Sequence, residues 1–361
     1  MKIWFFTLIF IFVSIGLKAQ ESNDSTLQNS LFEPVSESFE DVYVFDSNKP
    51  LKLTLKYDIT SFIRKKMKGE YLAAEMYVHT SETDSIVKHI RLKARGNFRR
   101  GHCFFPPIYL NFKTDPIEST ELKGLKKVKL VTHCSSGKAY ESYILREYLA
   151  YKMYNVITDK SFRVRLVDIK YIDTGKKQRN YQRYGFLIEP VGLMVKRCKA
   201  VEVNSEIIKG KDIIEPEMDI VALFQFMIAN TDWRAKGGHN LKYIKSLSFV
   251  SNKVSPVPYD FDYSGFVGTH YAEPQEWTSI NNIKEREYLG YCRNTDQAYL
   301  NAISVFLQKQ DKILETIRSF EYLNEKERNN LITFIQQFYT IAERPKSLAN
   351  MLKNQCRDND F

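Results

Sequence analysis

Residues 230–240 read NTDWRAKGGHN, and residues 256–262 read PVPYDFD. The first stretch follows an apolar segment of helical period, predicted as a helix from about Glu217 to Ala229, and its paired glycines indicate a loop. Between the two stretches, Leu241 to Ile244 and the residues around Phe249 are predicted to form a short hairpin. A helix end and a strand end would therefore place several carboxylates and an amide close together.

The polar residues of these stretches are of the types that phosphoryl transfer requires. In such reactions one Asp orients the attacking hydroxyl, while an Asn and a second Asp bind Mg²⁺ through hard oxygens. Asp232, Asn240 and Asp260 supply those types. If Asp260 and Asp262 lie in a strand they share a face, where they repel unless a cation, Lys or Arg lies between them. The alternative is an ordinary turn and a helix cap, which use the same residues.

The rest of the chain predicts an α+β protein with two lobes. A β-rich N-terminal lobe over 42–195 contains one inserted helix, and a mainly helical C-terminal lobe covers 196–361. Strands are predicted from period-two alternation at Leu51–Tyr57, Ala74–Val78, Ile90–Ala94 and Ile108–Phe112. Two more strands, Phe162–Tyr171 and Tyr184–Glu189, are predicted on either side of a polar turn. Helices are predicted at Tyr140–Val156, at Gln297–Phe320, and from a cap at Asn324 to an end at Pro345.

Composition excludes several classes of protein. The 361 residues are 43% hydrophobic and 27% charged, which excludes a disordered, collagenous or coiled-coil chain. The net charge is +10, and removing residues 1–19 with Lys2 and Lys18 leaves 51 − 43, or +8. That charge favours anionic partners. The cations are scattered, which argues against nucleic acid. Walker, Rossmann, zincin and nucleophile-elbow motifs are absent from the sequence.

The N-terminus has the layout of a secretory signal peptide. Lys2 precedes an apolar run from Ile3 to Leu17, which is short for a membrane span, and Ala19 is the expected cleavage site. Residues 20–41 are polar and predicted to be a flexible leader. An uncleaved anchor is the alternative. We therefore expect an exported protein, periplasmic or extracellular, with no membrane span in the mature chain.

The cysteines suggest neither a zinc site nor a redox motif, because none are spaced as C-x-x-C. The chain has five: Cys103, Cys134, Cys198, Cys292 and Cys356. We expect mostly buried free thiols and one bridge at most. His133 and Cys134 are adjacent and would point to opposite faces of a strand, so they are not expected to form a catalytic dyad.

Several motifs, taken in order, resemble those of the spore-coat CotH kinase family over residues 90–265. Arg91–Asn97 is similar to its R-x-R-G-N strand, with Lys93 in place of the first Arg. Tyr184–Glu189 is similar to its G-x-Y-x-x-x-E strand. The remaining matches are Leu122–Leu130, the helix containing Arg146, Asn230-x-Asp232, His239-Asn240 and Pro258–Asp262, with Tyr259 in place of the family's Trp.

The resemblance implies a diverged, two-lobed protein-kinase-like fold and phosphate transfer from ATP to protein Ser or Thr, with Mg²⁺ or Mn²⁺. It makes Asp232 the catalytic Asp, assisted by Asn240, and Asp260 the metal ligand, assisted by Asp262 and Asn240. It places Glu189 in an ion pair of the N-terminal lobe and Arg95 or Lys93 near the phosphates.

The resemblance leaves three assignments open. Arg95 could instead be a solvated residue in a bulge or turn, and Glu189 could pair with Lys196 or Arg197. Because Cys103–Pro107 stands where the family has a Lys, the nucleotide-binding Lys is unassigned among Lys93, Lys113 and Lys196. Residues 271–293 lie outside the resemblance. They are expected to form either a lid or substrate surface, in which Arg286 or Arg293 contacts an anion, or a packed, partly solvated loop.

Three functions therefore remain. The first is an exported kinase acting on a protein or an envelope component. The second is an inactive kinase-fold protein that binds an anionic or glycan ligand at the cell envelope. Three observations favour this second function: the nucleotide-binding Lys is unassigned, the mature charge is +8, and ATP is scarce outside the cytoplasm. The third is a transferase that uses another activated phosphate donor.

Overall fold

The computed structural model describes residues 42–118, 120–178, 180–248 and 252–358. The predicted signal peptide (1–19), the predicted leader (20–41) and Phe249 lie outside these residues. Within the described ranges, no helix combines the length and apolar character needed to cross a bilayer.

Seven strands of the N-terminal half close into a barrel. Around the barrel they run in the order β1, β2, β3, β4, β5, β7, β6, and β1 closes it by pairing in parallel with β6. The strands are β1 (Leu51–Tyr57), β2 (Leu72–His79), β3 (Ser85–Ala94), β4 (Ile108–Asn111), β5 (Lys127–Val131), β6 (Val164–Asp173) and β7 (Tyr181–Ile188). Apolar residues such as Leu55, Leu92 and Leu110 fill the interior. Because side chains alternate along a strand, the residues between them lie on the outer face.

Three helices accompany the barrel. α1 (Ile59–Lys65) follows β1, and its first turn is capped by Asp58, whose Oδ1 accepts a 2.7 Å hydrogen bond from the Ser61 amide. α2 (Phe98–His102) follows β3. α3 (Lys138–Ile157) lies between β5 and β6, and it packs its buried Tyr148 and Tyr151 against Phe186 on the outer face of β7.

The C-terminal half contains a second, smaller sheet among helices. Its strands β8 (Ala200–Val203), β9 (Leu241–Ser246) and β10 (Ser255–Pro258) are antiparallel in the order β10, β9, β8. The helices are α4 (Val191–Arg197), α5 (Glu215–Met227), α6 (Asp296–Arg318), α7 (Glu325–Ala342) and α8 (Pro345–Gln355). The predicted cap of α7 is confirmed, since Asn324 Oδ1 accepts from the Glu327 amide at 2.9 Å. Pro345 begins α8, as proline suits a first helical turn.

The α+β class predicted from the sequence is confirmed. The two-lobed arrangement stays a prediction, and the strands of the N-terminal half form a closed barrel that the sequence did not predict. The boundary predicted between 195 and 196 falls inside α4.

The expectation of mostly free cysteines is wrong. Cys103 is bonded to Cys134, and Cys292 to Cys356, so Cys198 is the free thiol. The paired residues are 31 and 64 positions apart, and the fold brings their Cα atoms to 4.6 and 4.9 Å. Sequence spacing carries no information about such pairings. The first bridge ties the end of α2 to the segment that precedes α3.

Candidate functional site

Asp232 is held directly after the buried end of α5. The chain turns out of the helix at Ala229, whose φ is 50°. Asn230, which is buried, then donates through Nδ2 to Gln225 Oε1 at 2.9 Å and accepts through Oδ1 from the Asp232 amide at 3.1 Å. The position of the Asp232 backbone is therefore set by a buried side-chain network.

The glycine loop returns two side chains to Asp232. Asn240 Nδ2 donates to Asp232 Oδ2 at 2.9 Å and to the Asp232 carbonyl at 2.7 Å. His239 Nε2 lies 2.8 Å from Asp232 Oδ1. This hydrogen bond raises the pKa of His239. Both carboxylate oxygens are thus oriented, while the side chain of Asp232 stays 16% exposed and accessible.

Asp260 is joined to the same unit through the backbone. The Tyr259 amide donates to the Asn240 carbonyl at 3.1 Å. The next residue, Asp260, has a φ of 63°, and its amide donates to the Tyr151 hydroxyl of α3 at 2.8 Å. The expectation that Asp260 and Asp262 share a strand face is wrong, because β10 ends at Pro258 and Asp260 takes a left-handed conformation.

Asp262 is buried and paired with an arginine that the sequence analysis did not select. Its Oδ2 accepts from Arg99 Nε at 2.8 Å and from the Tyr271 hydroxyl at 2.9 Å. Arg99 Nη2 donates to Glu147 Oε2 of α3 at 2.5 Å. Arg99 therefore lies between two carboxylates that are 4% and 1% exposed as residues.

This cluster holds more negative than positive charge. Glu147, Asp262 and the nearby Asp260 face one guanidinium, and burial is the largest cause of a rise in the pKa of Glu147 to about 8. Burial also raises the pKa of Asp262. Glu147 Oε1 is buried without a hydrogen-bond partner. A proton or a further cation would offset this excess charge.

The residues fit a divalent cation only together with a ligand. Among the described residues, no group of three or more His, Cys, Asp or Glu side chains could hold a metal. Mg²⁺ is usually bound by one or two carboxylates together with substrate phosphates. Asp260, Asp262 and the Asn240 Oδ1 would supply that smaller set, since Asn240 uses its Nδ2 on Asp232.

Lys129 faces the site from the outer surface of β5. It opposes Tyr109 of β4, and its Nζ lies 5.8 Å from the centre of the Tyr259 ring. Its pKa is lowered to about 8, chiefly by burial and also by the nearby charge of Arg95, while Asp260 acts in the opposite direction. The sequence analysis missed Lys129, although the alternation Lys127-Val128-Lys129 indicated it.

The other predicted residues lie in several places. Arg95 Cζ lies 5.6 Å from the centre of the Tyr109 ring, and Lys93 Nζ lies 5.6 Å from the centre of the Tyr71 ring. Glu189 is buried and pairs with Arg197 at 2.8 Å, which was one of the alternatives. Lys196 is on the last turn of α4, and Lys113 is in the turn after β4.

Residues 271–293 contain arginines bound within the protein, as in the packed-loop alternative. Arg286 donates to the carbonyls of Met227 and Phe334 at 3.1 and 2.6 Å. Arg293 pairs with Asp219 at 2.7 Å. The contact of this segment with the candidate site is the hydrogen bond from Tyr271 to Asp262.

Comparisons with known proteins give little guidance. No protein-family model and no curated protein matches the chain. One similar solved structure is the Helicobacter pylori proinflammatory kinase CtkA, with 11% identity and a TM-score of 0.35 over 78% of this chain and 92% of that one. A TM-score of 0.35 is too low to establish a common fold.

Proposed function

We propose that the protein transfers the terminal phosphate of a nucleoside triphosphate to a hydroxyl group of a protein. The observation that carries the proposal is the joining of Asp232 and Asp260 through Asn240. Asn240 binds the Asp232 carboxylate and accepts from the Tyr259 amide. A hydroxyl-orienting group and a metal-binding group are thereby held on one rigid unit, opposite Lys129.

In this proposal, separate residues bind the attacking hydroxyl, the phosphates and the metal ion. Asp232 accepts a hydrogen bond from the attacking hydroxyl, whose oxygen forms the new bond to phosphorus as the bond to the bridging oxygen of the nucleotide breaks. The hydroxyl proton passes to Asp232 and then to solvent. Lys129 and Arg95 bind the phosphates. Asp260, Asp262 and Asn240 would hold Mg²⁺ or Mn²⁺, which neutralises phosphate charge when bound.

The test is transfer of labelled γ-phosphate from ATP by the mature protein, with Mg²⁺ or Mn²⁺, to itself or to added protein. Asp232→Asn and Asp260→Asn should each lower transfer by at least about a hundredfold, since each removes a group used in the transition state. Asp311→Asn, on the exposed face of α6, is the matched control and should retain full activity. Unchanged transfer by both site variants would refute the proposal.

A second candidate is a binding protein without turnover for an anionic ligand. It is favoured by the contact of Arg99 with Asp262, which already occupies one of the two carboxylates needed for a metal. Such a protein would bind ATP or phosphate equally well with and without Mg²⁺. Melting temperatures measured with each ligand, with and without Mg²⁺, distinguish the two candidate functions, because a ligand that binds only the folded protein raises Tm.

A further inference from the structure

The outer face of three adjacent strands carries a group of basic side chains. Arg91 and Lys127 both oppose Asn111, while Lys93 and Lys129 both oppose Tyr109. Directly opposed residues in a sheet share a face. With Arg95, which follows β3, they form what we call the β3–β5 cationic face: Arg91, Lys93, Arg95, Lys127 and Lys129.

Ion pairs among the described residues do not offset this charge. In the described parts of the chain, none of the five side chains forms an ion pair with a carboxylate. By contrast, Lys56 on the outer face of β1 pairs with Glu75 of β2 at 3.0 Å. The uncompensated charge is therefore concentrated on the strands next to Asp260. Such a concentration attracts an anionic partner.

Two tyrosines hold four of these cations in place. Arg91 and Lys93 lie 5.2 and 5.6 Å from the centre of the Tyr71 ring. Arg95 and Lys127 lie 5.6 and 4.1 Å from that of Tyr109. Side chains restrained in this way lose less freedom on binding. Because both rings are already covered by cations, they are poor platforms for the base stacking that single-stranded nucleic acid uses.

We propose that the β3–β5 cationic face binds an acidic segment of the protein that accepts the phosphate. In an extended peptide, carboxylates at alternate positions repeat about every 6.6 Å, as do Arg91 and Lys93 along β3. Arg95 and Lys129 lie at the end near Asp260 and bind the donor phosphates, while Arg91, Lys93 and Lys127 bind the acceptor. The identity of the peptide as the acceptor and the role of Arg95 and Lys129 on the donor rest on the proposed function, whereas binding of an acidic segment to the face does not require transfer.

The test is fluorescence anisotropy with a labelled peptide of alternating Glu and Ala around one Ser, without nucleotide or metal. The wild-type protein should bind this peptide, more weakly as salt rises, and should not bind the analogue with Gln for Glu. The triple variant Arg91→Gln/Lys93→Gln/Lys127→Gln should weaken binding about tenfold, because it removes three solvent-screened charge contacts whose free energies add. Lys93→Gln alone should give a smaller loss in the same direction.

The matched control is Lys52→Gln/Lys56→Gln/Lys170→Gln, which removes the same charge from the outer face of β1 and β6. It should change affinity less than about twofold. Equal losses in the two triple variants, or equal binding of the Gln peptide, would overturn the proposal. So would tighter binding of oligothymidylate or inorganic polyphosphate that depends on the same three residues.

Failure of this proposal is distinguishable from failure of the proposed function. Asp232→Asn should bind the acidic peptide as the wild type does while losing phosphate transfer. A protein that transfers phosphate but does not bind the peptide would overturn the docking proposal alone. Thermal melts that match the wild type establish that both triple variants are folded.

Discussion

Arg99 Nε lies 2.8 Å from Asp262 Oδ2, although 163 positions separate the two residues. The same guanidinium binds Glu147, so that one side chain joins α2, α3 and the loop after β10. The position of Asp262 in the candidate site therefore depends on a short helix at the rim of the barrel. Removing Arg99 would affect both stability and the site.

We expect Arg99→Ala to lower the free energy of unfolding by about 3–5 kcal/mol, because it leaves two buried carboxylates without their partner. Urea denaturation measures this change. Arg64→Ala is the control, since Arg64 is exposed and its loss should cost less than about 0.5 kcal/mol. Equal effects of the two substitutions would contradict a structural role for the buried ion pair.

Local patterns in the sequence predicted most of the helices and strands. The alternation at Leu51–Tyr57 and the cap at Asn324 depend on neighbouring residues only, and both correspond to what the structure contains. The ion pairs of Arg99, by contrast, do not depend on residues next to it in the sequence. Arg99 lies in the run Arg99-Arg100-Gly101-His102, which reads as a solvated basic segment, and its partners come from distant elements.

Only part of the candidate site was predictable from the sequence, because some of its contacts are local and others join distant elements. Asp232 and Asn240 are eight positions apart, and the helix end and glycine loop between them were enough to select both as candidates, although their hydrogen bond was not predicted. The geometry of Asp260 was not predictable from the Asp-x-Asp spacing, because it depends on a hydroxyl of α3. The alternation Lys127-Val128-Lys129 indicated that Lys129 lies on the outer face of a strand, but only the fold shows that this face lies near Tyr259 and Asp260.

Nucleotide affinity should fall as the pH rises through about 8, the pKa to which burial lowers the Lys129 amine. Below that pH the amine is charged and attracts phosphate, and above it the charge is lost. Lys129→Arg should remove the fall, because a guanidinium stays charged throughout. Lys129→Met should lower affinity at pH 7 by at least about tenfold. Titrations of ATP between pH 7 and 10 test this, and identical profiles for all three proteins would contradict the role of Lys129.

The disulfides predict a defined thiol count. The unreduced, denatured protein should react with one equivalent of a thiol reagent, at Cys198, and with five after reduction. Peptide mapping by mass spectrometry identifies the pairs. Cys292→Ser/Cys356→Ser should lower the free energy of unfolding by about 4 kcal/mol, because the bridge closes a long loop in the unfolded chain. Three or more reactive thiols before reduction would contradict the pairing.

Tyr151→Phe tests how α3 positions Asp260. The substitution keeps the ring but removes the hydroxyl that accepts from the Asp260 amide at 2.8 Å. A backbone N–H left without an acceptor should cost about 1–3 kcal/mol in urea denaturation. Tyr154→Phe is the control, since Tyr154 is a tyrosine of α3 with similar burial, and its ring centre lies 4.7 Å from that of Phe224 on α5. The backbone of Asp260 is in the left-handed conformation and depends on this bond for its orientation. Phosphate transfer should therefore fall by at least about tenfold in Tyr151→Phe and stay within about twofold of wild type in the control. Equal activity of the two variants would mean that the loop holds Asp260 in place without α3.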